Sequence, residues 1–318
     1  MKQGALSMTG YFDKGKKTRR EVFLAEMEQV LPWSRLLALI EPHYPKGSDK
    51  GGHPPLPMER MFRFYCLQQW YNLSDPGAEG ALYDSITMRQ FAGVQTDDDV
   101  IPDETSILNF RRLLERHQLT ERVLTEINAH LSERGLFVGK WTIVDATIIN
   151  APSSTKNAEK KRDREMHQTR KGKQWYFGMK MHTGVDDGFG LVHTVRATSA
   201  NVADVNVFGE LLHGGEERVH GDSAYHSKVH KAQTEASGLE FNVNVRATKH
   251  HPLTAAQKAR NRRFSRVRAI GEHAYLVVKQ LWGHAKVRYC GIAKNLAQMT
   301  VLFALANVYR VRHHLLAT

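Results

Sequence analysis

One acidic residue stands within a basic helix near the end of the chain. The segment from Phe264 to Lys286 has the apolar spacing of a helix, and Glu272 is its only acid. At about 3.6 residues per turn, Arg268 precedes Glu272 by one turn and Lys279 follows it by two turns on the same face. An acid between cations suits a site that binds a metal ion and a phosphate chain, although an ordinary ion pair of Arg268 with Glu272 gives the same spacing. Carboxylates elsewhere in the chain decide between these interpretations.

Two further acids occur where strands are predicted. Asp145 lies within the β-branched run WTIVDATII at 141–149, and Asp222 ends a short strand that begins at 219. An ionised side chain inside a buried strand is costly unless it has a partner or a metal. Three carboxylates brought together repel one another, and two Mg²⁺ ions about 4 Å apart would neutralise them, with Mn²⁺ as a substitute. Such ions would polarise a phosphate and activate an attacking oxygen.

The elements that position these acids follow one order from residue 139 onward. The periodicity predicts three strands, a helix, a strand, a helix, a strand and a final helix. The strands are expected at 141–149, 175–185, 191–197, 219–222 and 241–246, and the helices at 201–212 (capped by Asn201), 226–237 and 264–286. This is the order of an RNase H-like α/β domain, a mixed five-stranded sheet with flanking helices whose first and fourth strands are neighbours. The three acids would then converge.

Two basic stretches suggest contacts with DNA phosphates. Residues 150–174 carry eight Lys or Arg and three acids, which predicts a loop that faces DNA or lacks fixed structure. Residues 246–270 carry eight Lys or Arg and no acid. The candidate DNA contacts are cations in these stretches and near the acids: Lys160, Lys161, Arg162, Lys180, Arg262, Arg263, Arg266, Arg268 and Lys279.

The first part of the chain is predicted to be all-α. Helices are expected at 22–41, with a boundary at Pro32, and at 58–71, 75–85, 87–91, 104–116 and 120–134. These helices suggest either a helix-turn-helix for a major groove or a bundle that packs and dimerises. Residues 1–20, a mobile basic arm or a solvated tail, end in a run of cations: Lys14, Lys16, Lys17, Arg19 and Arg20. The predicted domains are 1–54 (arm, helix and a linker at 44–57), 55–138 (helical DNA-binding or dimerisation domain), 139–285 (catalytic domain) and 286–318 (helical extension).

Composition narrows the class of protein. The formal charge of +12 over 318 residues favours a polyanionic partner, nucleic acid rather than a membrane surface. The two cysteines, Cys66 and Cys290, lie too far apart in sequence for a CxxC pair and argue against a disulfide scaffold or a structural zinc site. No phosphate-binding GxxxxGK[ST] loop is present, so no nucleotide cofactor is expected. Without a signal-like or membrane-spanning apolar run, we expect a soluble intracellular protein.

Several stretches between about residues 55 and 310 carry a family resemblance. They are YNLSDPGAEGALYDSITMRQFAGV, IPDETSILNFRRLLE, VDATIINAP, GMKMHTGVDDGFGLVHTV, ATSANVADV, GDSAY and RVRAIGEHAYLVVKQLWGHAKVRYCGIAKN. In this order they resemble the IS5-type insertion-sequence transposases, which have a DDE catalytic domain. In that family the third acid lies in a Y-(2)-R-(3)-E-(6)-K signature. Arg268, Glu272 and Lys279 match it, whereas Ser265 replaces the tyrosine; Asp222 and Tyr225 match an Asp-x-x-Tyr motif.

The resemblance implies an enzyme that binds terminal inverted repeats, cuts at the ends and joins the 3′ ends to target DNA. It implies a homodimer or larger oligomer on two paired ends, in the bacterial cytoplasm and associated with the nucleoid. It assigns the metal-binding and catalytic roles to three acids, of which the first would bridge both ions: Asp145, Asp222 and Glu272. His273, Lys180 and His182 either orient substrate or have structural roles. A nuclease that cuts without joining and a DNA-binding protein without activity are the alternatives.

Overall fold

Seven α-helices precede the first strand within the part of the chain that the structure describes. The structure is a computed structural model and describes residues 16–47, 54–94, 99–137, 139–156 and 159–317. The helices are α1 (Arg19–Val30), α2 (Trp33–Ile40), α3 (Met58–Trp70), α4 (Asp75–Asp84), α5 (Ile86–Phe91), α6 (Glu104–Arg116) and α7 (Leu119–Glu133). These bounds confirm the predicted helices and the boundary at Pro32, which separates α1 from α2.

Side-chain caps explain where several of these helices begin. Ser74 accepts a hydrogen bond from a backbone N–H of α4, and Asp103 accepts one from α6. Thr18 and Glu21 form a capping box at α1. The box extends α1 back to Arg19, so the end of the predicted basic arm is helical.

Two predicted segments fall partly outside the described residues. Lys14 and the rest of the arm up to residue 15 lie outside them, and so do residues 48–53 of the predicted linker. The described ends of that linker are tied together, because the Tyr44 hydroxyl donates to the carbonyl oxygen of Leu56 at 2.7 Å.

A mixed sheet of six strands follows the helices in the described residues. Its strands are β1 (Trp141–Asn150), β2 (His167–Lys171), β3 (Gln174–Asp186), β4 (Val192–Ser199), β5 (Arg218–Gly221) and β6 (Glu240–Val243). β3 pairs antiparallel with β1, β2 and β4, whereas β5 pairs in parallel with β1 and with β6. The adjacency of β1 and β5 is confirmed, and the architecture is the predicted RNase H-like domain with an all-α N-terminal part.

The sixth strand corrects the prediction for residues 150–174. Instead of being loop throughout, this stretch contains β2, which pairs with the start of β3 across a turn at Gly172, where φ is +62°. Met166, just before β2, is only 3% exposed. β2 is exposed along most of its length and its residues are polar, so no alternation of apolar side chains marks it as a strand.

Three elements after β4 differ in detail from the prediction. The expected helix 201–212 is a 3₁₀ helix at Asp204–Leu211, and Asn201 does not cap it but accepts a hydrogen bond from the Ser199 hydroxyl at 2.7 Å. The predicted helix 226–237 is α8 (Lys228–Ala236). The last predicted helix is longer at its start: α9 (Ala255–Tyr275) begins at a capping box of Thr254 and Gln257, then continues into a π-helical turn at Leu276–Leu281.

A final helix, α10 (Ile292–Leu316), lies in the middle of the molecule. It packs against α1, α7 and β4, and its residues from Val301 to Val308 are almost fully buried. One continuous cluster of buried apolar side chains therefore contains residues of the N-terminal helices, the sheet and α10. Within the described ranges, no helix combines the length and hydropathy that a membrane span requires.

A polar network also joins the N-terminal helices to the segment between α9 and α10. Arg111 on α6 forms a two-bond ion pair with Asp75 at the start of α4, with N–O distances of 2.7 and 2.9 Å. The Arg111 guanidinium lies 4.5 Å from the centroid of the Tyr289 ring. Arg288 donates to two carbonyl oxygens in the connection between α3 and α4, at 2.8 Å each. These contacts fix the connection that follows the π-helical turn.

Candidate active site

The first two candidate acids lie on neighbouring parallel strands. The parallel register of β1 and β5 pairs Ile143 with His220. Two residues further along each segment, Asp145 therefore lies level with Asp222, which stands just beyond β5. Gly221 permits this approach, because a Cβ there would lie 3.0 Å from a methyl carbon of Val144. Asp222 also begins the 3₁₀ turn Ser223–Tyr225, where its Oδ1 accepts a hydrogen bond from the Ala224 N–H at 2.8 Å. The loss of strand pairing after Gly221 thus releases this carboxylate at the sheet edge.

The third acid is carried across β1 by α9. Gly271 lets the helix approach the strand closely, since a Cβ at this position would lie 3.1 Å from the Ile143 side chain. The next residue, Glu272, is exposed and borders the same cleft as Asp145 and Asp222. The structure therefore brings the three predicted acids to one place, each from a different element.

The cleft has a volume of about 500 Å³ and a mixed-charge lining. The lining side chains that carry charge are four acids and four cations: Asp145, Asp204, Asp222, Glu272, Arg170, Lys171, Lys180 and Arg268. No ion pair between Arg268 and Glu272 is present among the described residues, which removes the simplest alternative explanation of their spacing. The buried Nε of Arg268 also has no hydrogen-bond partner in the described ranges. Both charges are thus available to a ligand.

The electrostatics of Asp145 depend on this arrangement. Burial raises the pKa of Asp145 from its usual 3.8 to about 6, against the opposing effects of the Ala146 N–H and of Arg268. The neighbouring carboxylates of Asp222 and Glu272 make smaller contributions in the same direction as burial. A divalent cation in the cleft would relieve this repulsion.

The donor set fits a hard divalent cation by its chemistry. Carboxylate oxygens without Cys or His are the ligands that Mg²⁺ prefers. The carboxylates are not drawn together to ligating distance: within the described ranges, no group of three His, Cys, Asp or Glu side chains is placed to hold one metal ion. The residues that could hold such an ion are the three acids that share the cleft, Asp145, Asp222 and Glu272.

Tyr275 holds the acid-bearing strand and helix together, a role that its sequence position does not reveal. Its hydroxyl donates to the carbonyl oxygen of Asp145 at 3.1 Å and lies 2.6 Å from the Thr183 hydroxyl. Tyr275 is 8% exposed, borders the cleft and lies about one turn after Glu272 on α9. Its apolar neighbours favour a core residue, and only the register of β1 with β3 shows that Thr183 faces Asp145.

A fourth acid, Asp204, lies beside Lys180 and His182, which were predicted either to orient substrate or to have structural roles. A DNA contact of Lys180 stays a prediction. The ammonium of Lys180 donates to Asp204 at 2.8 Å and to the carbonyl oxygen of Val202 at 2.7 Å. His182 is fully buried and its Nε2 contacts the Thr198 hydroxyl at 2.9 Å. Burial lowers the pKa of His182 to about 4, so the ring is neutral at pH 7. Asp204 lies within the stretch predicted as the helix 201–212, where nothing in the pattern marked it as a site residue.

The remaining predicted contacts lie around the cleft rather than in it. Arg262, Arg263 and Arg266 are exposed along α9, and Lys160, Lys161 and Arg162 are exposed between β1 and β2. Arg162 also donates to the Ser153 carbonyl oxygen at 2.8 Å. His273 is exposed and does not line the cleft. At the tyrosine position of the signature, the Ser265 hydroxyl accepts a hydrogen bond from Asn244 at 3.1 Å. A phosphate role for the six cations stays a prediction.

β2 supplies cleft residues that the sequence did not suggest individually. The same cleft that holds the three acids is also bordered by Thr169, Arg170 and Lys171. They belong to the basic stretch 150–174, so its composition did indicate a DNA-facing segment. Only the pairing of β2 with β3 shows which of its cations reach the cleft.

Lys279 contacts β1 just beyond Asp145. It lies in the π-helical turn, so the α-helical spacing from Glu272 does not hold, yet its ammonium donates to the Thr147 hydroxyl at 2.9 Å and the Ile148 carbonyl oxygen at 3.0 Å. Burial, with a smaller effect of Lys171, lowers the pKa of Lys279. An ammonium has three donors, so one remains for a phosphate oxygen.

We therefore expect Lys279→Met to affect both DNA binding and joining. Loss of the charge should lower the slope of log affinity against log salt concentration by about one unit, and loss of the β1 contacts should slow joining. The metal requirement should not change, because Lys279 binds no metal. Salt titrations of wild type and variant on the same end DNA measure this slope. Equal slopes and equal joining rates would show that Lys279 contacts no phosphate.

The raised pKa of Asp145 predicts pH-dependent metal binding. Because the metal requires the carboxylate, the apparent Mg²⁺ affinity should fall by up to about tenfold per pH unit below about pH 6. The folded state holds this proton more tightly than the unfolded chain, so the metal-free protein should lose this stabilisation as the pH rises from about 4 to 6. Isothermal titration with Mg²⁺ at pH 5, 6 and 7 tests this. An affinity that is constant over this range would contradict a proton displaced from Asp145.

Comparisons with known proteins identify the family of the chain. The family model described as "Transposase DDE domain" matches residues 138–308, and a second model, "Transposase domain (DUF772)", matches residues 12–113. Among solved structures, a cryo-EM structure of a piggyBac transposase synaptic complex with hairpin DNA aligns with a TM-score of 0.49 and 8% identity, covering 93% of this chain and 75% of that one. The first family model spans more than half of the chain and contains all three acids. The chain belongs to the transposase DDE domain family.

Proposed function

We propose that the chain is an IS5-type insertion-sequence transposase that binds terminal inverted repeats, cuts at the ends and joins the 3′ ends to target DNA. The observation that carries the proposal is the meeting of three carboxylates from β1, the end of β5 and α9 in one cleft bordered by cations. Membership of a transposase family supports the reaction class. The IS5 subfamily, the terminal repeats and the joining step are the parts that we propose.

The side chains of the cleft suggest a division of labour. Asp145, Asp222 and Glu272 would hold two divalent ions, which when bound supply charge neutralisation at the phosphate and a more acidic attacking water. Arg268, with its unpaired buried Nε, is placed to bind a phosphate oxygen beside Asp145. Tyr275 keeps the backbone of Asp145 fixed against α9, so that the first carboxylate keeps its position during both steps.

The same cleft has to serve two reactions in turn, cleavage by water and joining by the 3′ hydroxyl. We propose that the cations of the cleft hold the DNA during both. Water attacks the phosphate at the end of the insertion sequence and releases a 3′ hydroxyl. That hydroxyl then attacks a phosphate of target DNA, one P–O bond forming as another breaks. The cleft is also lined by Arg170 and Lys171 of β2, which would contact the phosphate backbones of the insertion-sequence end and of the target DNA. No external energy source is needed, because bonds are exchanged one for one.

Domain division and assembly belong to the proposal as well. We propose that residues 55–138 bind DNA or dimerise, that 139–285 are catalytic and that 286–318 extend the fold. A homodimer or larger oligomer would bring two ends together. Protection of end DNA by full-length protein, mapped by footprinting, would show which helices lie on it.

A strand-transfer assay tests the proposal against its closest alternative. Full-length protein is incubated with Mg²⁺, a supercoiled plasmid and duplexes that carry the sequences flanking its gene, either intact or pre-cleaved to expose the 3′ hydroxyl. We expect cleavage of the intact ends and insertion of the pre-cleaved ends into the plasmid. Cleavage without insertion would favour the nuclease. Binding without either reaction would favour a DNA-binding protein.

A further inference from the structure

The β2–β3 hairpin presents an exposed tryptophan close to the cleft. Trp175 is 64% exposed, the largest exposed fraction among the apolar side chains of the described residues. No ring contact or cation–π contact of Trp175 occurs within the described ranges. Single exposed apolar residues are common on protein surfaces, so this exposure acquires meaning only from its surroundings.

The position of Trp175 connects it to the cleft. Trp175 stands directly opposite Arg170 in the antiparallel register, and opposite residues place their side chains on the same face. Arg170 lines the cleft, as do its neighbours Thr169 and Lys171. The indole therefore lies on the same face of the hairpin as Arg170, and the β2 strand that carries Arg170 forms one wall of the site.

The charge around Trp175 selects the kind of partner. Residues 167–176 contain Arg170, Lys171 and Lys173 and no acid. A basic surface with an exposed aromatic ring is the combination that binds unpaired nucleotides, because cations attract the phosphates and a base stacks on the ring. A protein that binds this basic surface would need an acidic surface of its own to match these cations. This chain carries a net charge of +12. A second copy is therefore a poor match by charge.

The hairpin is also rigid enough to hold a base. Five residue pairs join β2 and β3, and the turn between them uses the positive φ of Gly172. Tyr176, the next residue, has its hydroxyl bonded to Gln174 at 2.9 Å, which orders the base of the turn. A ring held on a paired strand loses little entropy when it stacks.

We propose that Trp175 stacks on an unpaired base of the DNA strand that enters the cleft, and that the β2–β3 hairpin thereby holds frayed DNA at the reaction site. This inference rests on the proposed function for its substrate and adds a recognition residue to it. Stacking pulls a base out of the duplex at the cleft mouth and leaves the adjoining phosphate accessible to the acids. Arg170, on the same face of the hairpin, would bind the phosphate next to that base.

The test compares two DNA probes and three variants of the full chain. The probes are a fully paired duplex and the same duplex with a three-nucleotide unpaired end that contains 2-aminopurine. The variants are Trp175→Ala, Trp175→Phe and Val229→Ala. The last is a control because Val229 is an apolar residue with a similar exposure of 63%, lies on α8 outside the proposed DNA-binding region and does not line the cleft. Affinity, salt dependence and 2-aminopurine fluorescence are measured for each.

We expect Trp175→Ala to lower the affinity for the frayed duplex by about 5- to 150-fold, and to lower that for the paired duplex much less. The salt slope should not change, because the indole carries no charge. Quenching of 2-aminopurine should be lost in Trp175→Ala and largely kept in Trp175→Phe. Val229→Ala should match wild type on both probes.

Three results would overturn the inference. They are equal affinities of wild type and Trp175→Ala for the frayed duplex, an equal loss on both duplexes, or a change in the DNA-free sedimentation mass without a change in affinity. The last result would assign Trp175 to a protein interface. The outcome is separable from the proposed function: cleavage by wild type with unchanged frayed-end binding by Trp175→Ala would reject only the stacking role, whereas Trp175-dependent binding without cleavage would reject only the transposase.

Discussion

Asp145→Asn is expected to abolish cleavage and joining, by at least about a thousandfold or about 4 kcal/mol of transition-state stabilisation. The amide keeps the size of the side chain but removes the charge that would hold the metal ions. Asp145 shares one cleft with the other two acids, and burial, with smaller contributions from those acids, raises its pKa to about 6. Binding of end DNA should stay within about twofold, since removal of a negative charge does not weaken attraction to phosphates. Cleavage of labelled ends in Mg²⁺ and a gel-shift titration measure the two effects separately.

Asp222→Asn and Glu272→Gln should give the same separation of binding from catalysis. Glu235→Gln is the matched control, because Glu235 is a surface acid on α8, 54% exposed and paired only with Lys231 at 3.7 Å. It should cut and join like wild type. Near-normal cleavage by any one of the three cleft variants would show that the assignment of that acid is wrong.

Arg111→Met is expected to lower the free energy of unfolding by about 3–5 kcal/mol. The guanidinium is 7% exposed and forms two hydrogen bonds with Asp75, which is 23% exposed. Burial would raise the pKa of Asp75, but the hydrogen bonds from Arg111 and Gln68 outweigh it and lower that pKa. Removal of Arg111 therefore leaves a partly buried carboxylate without the cation that is hydrogen-bonded to it. Urea denaturation followed by far-ultraviolet circular dichroism measures the loss.

The pH dependence provides a second measure of this ion pair. Because the pKa of Asp75 is lowered in the folded state, its contribution is present above about pH 4 and is lost as the pH falls through the folded value. Arg111→Met should therefore lose less stability relative to wild type at low pH. The double variant Asp75→Asn with Arg111→Met should recover part of the loss at pH 7. A single variant as stable as wild type would show that the pair is not needed.

Much of the fold follows from local signals in the sequence. The helix caps at Ser74 and Asp103, and the interruption at Pro32, are short-range features that the structure keeps. The acid positions could be predicted because β1 is strongly apolar and β5 ends in a polar turn, so strand bounds coincide with Asp145 and Asp222. The order of strands and helices then predicts that these elements are neighbours.

Other features depend on pairings that local patterns do not contain. β2 has polar residues on both faces and is a strand only because β3 extends beyond β1 and offers it a partner. The π-helical turn carries no sequence signal, and it moves Lys279 to β1. Tyr275 of α9 joins the site by its hydrogen bond to the carbonyl oxygen of Asp145 on β1. Asp204 joins it by its ion pair with Lys180 on β3. Such contacts become visible only when register and packing are known.

The central position of α10 limits how this protein can evolve new specificity. This helix is almost fully buried from Val301 to Val308 and packs on α1, α7 and β4, so both ends of the chain share one interior. A lineage that exchanged its N-terminal helices for those of a distant relative would have to match that interior side chain by side chain. Recombination of modules is therefore a poor route to recognition of different DNA ends. Gradual substitution of surface residues is the route that such a molecule leaves open.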